Sequence, residues 1–124
     1  MTAGRVALVH GLEDARKALA AGGPVTLLSA PGAAGFAGCG WWRALVAAAR
    51  AAYPGQVAAD FLDCGEDPGY ALAALSIGLR GLVLSRDAPG FAAVAAIAAE
   101  AGAVLLTEPP PVDLCARDSG KRPG

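Results

Sequence analysis

Residues 19–29, LAAGGPVTLLS, and residues 75–85, LSIGLRGLVLS, decide the fold of this chain. Each starts as the end of an apolar helical stretch and breaks at a glycine, Gly22 or Gly78. Each then crosses a short apolar run and stops at a hydroxyl, Ser29 or Ser85. Residues 99–107, AEAGAVLLT, repeat the pattern two residues shorter, from Gly102 to Thr107. The physical content is the same three times. Glycine closes a helix in a left-handed cap, an uncharged strand follows that is suited to burial on both faces, and a polar group sits at its exit.

Outward from these segments the chain shows five apolar runs: Val6 to Val9, Val25 to Leu28, Val57 to Leu62, Gly81 to Leu84 and Val104 to Leu106. They end at His10, Ser29, Asp63 with Cys64, Ser85, and Thr107 with Glu108. Alanine-rich helical stretches separate them, so the order is β-α-β-α-β-α-β-α-β. In a parallel sheet built this way the C-terminal strand ends share one edge, where α/β sheets and barrels bind ligands.

The helices are delimited by local chemistry. The first predicted helix runs from about Leu12 to Ala21, with Leu12, Ala15 and Leu19 on one face and Glu13 and Asp14 in the first turn, where the helix dipole favours them. The second spans about Gly40 to Tyr53. It places Trp42, Leu45, Val46 and Ala49 on the core stripe, which leaves Trp41 to cover a loop or a partner. The third has Asp67 as N-cap, Pro68 at its first position and Gly78 at its end, with Ala71, Leu72 and Leu75 buried. The fourth runs from about Pro89 to Ala101, with Phe91, Val94, Ile97 and Ala98 inward. Its other face is almost all alanine, including Ala95 and Ala99, and so predicts cover by a second subunit or simply a good helix former.

Bulk properties bound the class. At 124 residues, 55% hydrophobic and 17% charged, the chain can bury one core and is no disordered polymer. A formal net charge of −1 provides no field to recruit nucleic acid or an anionic membrane surface. Residues 1–5 show no apolar signal region, and no run approaches the roughly 20 residues of a membrane span. The three cysteines form no close pair, so reduced thiols and a cytoplasmic location are expected. Residues 1–114 read as one domain. After Thr107, Glu108-Pro109-Pro110-Pro111 ends regular structure, and residues 115–124 read as a flexible polar tail.

Two forms fit this pattern. The first is a flavodoxin-like, three-layer α/β fold with five mostly parallel strands and flanking helices. The second is a half (β/α) barrel with strands in sequence order, which leaves one sheet face bare and predicts a homodimer. The Gly-to-Ser units resemble successive α-β units of phosphate-binding barrel aldolases. Residues 9–45 and 63–75, VHGLEDARKALAAGGPVTLLSAPGAAGFAGCGWWRAL and DCGEDPGYALAAL, resemble small uncharacterised α/β proteins of alphaproteobacteria. That resemblance covers about Arg5 to Leu114; it implies a fold and a lineage and brings no function.

The strongest local feature is the segment after the second strand, with Ser29, Gly32, Gly35, Gly38 and Gly40 leading into a helix. Its glycines let backbone N–H groups approach a ligand, and the helix adds its positive end, so it predicts a small anionic or phosphorylated ligand. Neither the P-loop lysine nor the dinucleotide GxGxxG is present. Ser85, Thr107 and Glu108 would line the same edge. A second reading makes Cys39 a nucleophile at a helix start, with His10 as base and Asp63 or Glu108 as orienter. A third makes the chain an interaction subunit with no ligand. A zinc site from His10, Cys39, Asp63 and Cys64 lacks close ligand pairs, and no metal is expected. No cofactor is legible.

Overall fold

The computed structural model describes residues 5–112. Its elements are β1 (Arg5–Val9), α1 (Leu12–Ala20), β2 (Val25–Ser29), α2 (Ala33–Phe36), α3 (Cys39–Ala52), β3 (Val57–Asp63), α4 (Pro68–Ser76), β4 (Gly81–Val83), α5 (Phe91–Glu100) and β5 (Val104–Leu106). Five parallel strands form one sheet flanked by five helices, which is the α/β class the alternation predicts. The strand order is β1-β2-β3-β4-β5. Flavodoxin-like sheets run 2-1-3-4-5 and place β1 inside. Here β1 is an edge strand, the order expected of the half barrel. Periodicity marks strands but says nothing about which strand each one pairs with.

Register sorts the strand residues into two rows. Ala7, Leu27 and Asp60 form one line across β1–β3, and Leu62, Leu82 and Leu105 continue the same row across β3–β5. A register shift after Val25 makes Ala58 an extra residue and turns Asp60 into this row. There the Arg50 Nη2 of α3 meets the Asp60 carboxylate at 2.9 Å. The other row carries Leu8, Leu28 and Phe61, then Asp63, Val83 and Leu106.

One hydrophobic core joins the first row to all five helices. Ala15 and Leu19 of α1, Ala33 of α2, Trp42 and Leu45 of α3, Ala74 of α4 and Val94 of α5 all belong to it. Trp42 is the largest fully buried side chain. Burying each such leucine or valine contributes roughly 1.5–3 kcal/mol. The helices touch in series, α1 on α3, α3 on α4 and α4 on α5. Gly81 lies where a Cβ would sit 2.0 Å from the Asp60 carbonyl oxygen, so no other residue fits between β3 and β4 there.

Two helix faces differ from the expected ones. Leu72 is 40% exposed and Ala74 is buried in its place, because α4 packs through its small residues. Ile97 is 44% exposed, leaving Val94 and Ala98 as the inward residues of α5. Both helices are apolar all round, so periodicity does not single out the inward face. The tail at 115–124 lies outside the described residues.

Candidate functional site

The parallel strands bring His10, Ser29, Asp63, Ser85 and Thr107 to one edge of the sheet, as their positions at strand exits require. Ser29 ends β2 and is buried. Its Oγ accepts from the Asp63 N–H at 2.9 Å and donates to the Ala30 carbonyl at 3.1 Å. That hydroxyl ties the end of β2 to the end of β3. Asp63 is also buried, and its Oδ1 accepts from the Gly65 N–H at 2.8 Å. The Ser85 N–H donates to the Gly65 carbonyl at 2.8 Å, and its Oγ accepts from the Asp87 N–H at 3.1 Å. These polar groups therefore stitch together the turns after β2, β3 and β4. Thr107, half-buried, and Glu108, exposed, follow directly on β5.

The two described cysteines mark the starts of two helices. Cys39 is the first residue of α3 and half-buried; Cys64 follows β3 and is buried. Burial raises the Cys64 thiol from 9.0 to about 12, with the negative charges of Asp63, Cys39 and Asp67 adding to the effect. The neutral thiol is the form this site holds.

His10 stands apart from them. Its backbone N–H donates to Asp14 Oδ2 at 2.8 Å, and its Nδ1 lies 3.4 Å from the same oxygen, in an exposed pair at the start of α1. Among the described residues Cys39, His10 and Asp63 make no hydrogen bond to one another, and no group of three metal-ligating side chains converges.

The glycine-rich segment is partly helical. Ala33–Phe36 forms the one-turn α2, with Ala33 and Ala34 buried in the core. Gly32, at φ 67, starts the turn. Gly35 lies so close to Tyr70 of α4 that a Cβ would come within 2.9 Å of the ring. The sequence signal for this turn was the buried pair Ala33-Ala34 behind Pro31-Gly32, hidden among glycines. Gly38, at φ 93, then opens α3 with no side chain accepting from its first turn and no acidic residue there. Gly40 is exposed, with open space where a Cβ would stand. Trp42, one turn in, is fully buried, and its Nε1 has no hydrogen-bond partner among the described residues.

A groove of about 300 Å³ elsewhere, beside α3 and the α4–β4 turn, includes Arg43, Arg50, Asp60 and Arg80 in its lining. Its arginines serve the fold. Arg43 donates to the Ile77 carbonyl at the end of α4, Arg80 to the Ala101 carbonyl at the end of α5, and Arg50 to Val57 and Asp60. Cations at helix C-termini neutralise the carbonyl end of the dipole.

No helix among the described residues is long and apolar enough to cross a membrane. No family model, curated protein or solved structure matches the chain.

Proposed function

We propose that this domain binds a small anionic or phosphorylated metabolite at the C-terminal edge of its sheet, with the anion at the start of α3. One observation carries the reading: a 14-residue helix begins at that edge with no cap and no acid in its first turn. The first N–H groups of any helix lack intrahelical acceptors, and they favour an anion beside them. Gly38 and Gly40 add no side chain of their own to the approach, and open space lies where their Cβ atoms would stand. Ser29 and Asp63 spend these polar atoms on the ends of β2 and β3, which leaves the ligand to backbone donors.

A binding role of this kind assigns no catalytic step to Cys39, which among the described residues has no hydrogen-bonded base. A thermal-shift screen of the folded protein with inorganic phosphate, nucleotides and organic acids tests the proposal. A ligand at 100 times its Kd should add about 2.7 kcal/mol of stability and raise Tm accordingly. No shift with any of these anions discards it.

A further inference from the structure

We propose that the groove between α3 and the α4–β4 turn binds a linear oligophosphate, at a site of its own. Arg43, Arg50 and Arg80 line it against a single carboxylate, Asp60. It lies toward the end of the sheet opposite the start of α3. Arg80 directly precedes β4, and Arg50 donates to the carbonyl of Val57, where β3 begins. The two sites share no residue. The groove holds about 300 Å³, the lower end of the range for small-molecule sites, which fits a small ligand.

The three arginines carry more positive charge than the fold uses. Asp60 balances Arg50, whose Nη2 lies 2.9 Å from the carboxylate. Arg43 Nη1 donates to the Ile77 carbonyl at 3.3 Å, at the C-cap of α4. Arg80 Nη1 donates to the Ala101 carbonyl at 2.9 Å, at the C-cap of α5. A helix C-terminus carries only about half a negative charge, so each of these two guanidiniums keeps a surplus. Among the described residues neither forms an ion pair, not even with Glu100 beside Ala101. Each guanidinium also has more N–H donors than one carbonyl accepts. What the carbonyls supply is position. They hold the forks in place before a ligand arrives, which lowers the ordering cost of binding.

Charge and spacing name the ligand. Arg43 and Arg50 stand two turns apart on α3, about 10 Å along its axis, and Arg80 lines the other wall. A cationic wall of that length fits an anion whose charges are spread along a chain. Planar guanidinium forks pair with phosphoryl oxygens two at a time. A single phosphate is too short to span the wall, whereas a linear triphosphate has the reach. The ends of the chain do not complement the groove. Residues 113–124 carry three cationic side chains against two carboxylates, and residues 1–4 carry neither.

Isothermal titration of the full chain with inorganic tripolyphosphate tests this. Arg43→Gln and Arg80→Gln should each weaken its binding by about tenfold or more, the loss of a charged hydrogen bond. Both side chains are exposed, so the fold survives either change. Arg86→Gln makes the same change of charge in the exposed turn after β4, outside the groove, and should leave the affinity as it was. The thermal shift with inorganic phosphate, which belongs to the start of α3, should survive both groove substitutions. No binding of tripolyphosphate by the folded protein overturns the proposal. So does binding that withstands Arg43→Gln and Arg80→Gln, which would place the ligand elsewhere. Binding that weakens as much with Arg86→Gln overturns it too, because net charge alone would then account for the affinity.

Discussion

α3 and α4 both start at the C-terminal edge of the sheet, yet their first turns are built in opposite ways. Asp67 caps α4 by accepting from the Gly69 N–H at 2.8 Å, and Pro68 fills the first helical position. α3 begins at Gly38 with neither a cap nor an acid. A cap such as Asp67 contributes about 1 kcal/mol, so its absence at the longer helix is a forgone stabilisation. The difference teaches that one helix start is closed to serve the fold and the other left open, where the proposed anion would take the place of the cap. Each start has its own cysteine, Cys64 sealed before α4 and Cys39 at the mouth of α3.

Ser29 links the ends of β2 and β3, the strands that lead into these two starts. Ser29→Ala removes the acceptor for the buried Asp63 N–H and should cost about 2 kcal/mol, read from the urea midpoint. A loss near zero would mean that water reaches this edge. Next comes pH. The Cys64 thiol ionises near 9.0 in the unfolded chain and near 12 in the fold. A folded pKa above the unfolded one gives stability that is complete below pH 9 and lost as pH rises toward 12, with a slope of at most about 1.4 kcal/mol per pH unit. Cys64→Ala should flatten that slope. In the native protein iodoacetamide should modify Cys39 and leave Cys64 until unfolding, as peptide mapping will show. Equal rates would erase the contrast between the two starts.

Asp67→Ala should lower stability by about 1 kcal/mol without changing anion binding. The mirror-image change, Gly40→Asp, places an acid in the open first turn of α3. It should stabilise the protein by about 0.5 kcal/mol and abolish the thermal shift with phosphate, because its carboxylate occupies the dipole end that the anion needs. Stabilisation without loss of the shift would place the anion elsewhere.

Local chemistry was legible in the residues themselves. The apolar runs, the Asp67 cap with Pro68, the glycine stops and the Trp42 core stripe depend on neighbours within a few positions, and the strands and long helices lie where these signals place them. So does the shared edge, since alternating β and α elements force the strands to run parallel. What depends on partners distant in the chain was not legible. Strand order is a choice among pairings that all bury the same apolar runs. The Ser29 hydroxyl found its use 34 residues away, at Asp63. The register shift at Ala58 decides that Asp60 rather than Phe61 meets the helices. Leu72 and Ile97 face outward because α4 and α5 are apolar on every side, so only the packing against neighbouring elements selects which face is buried.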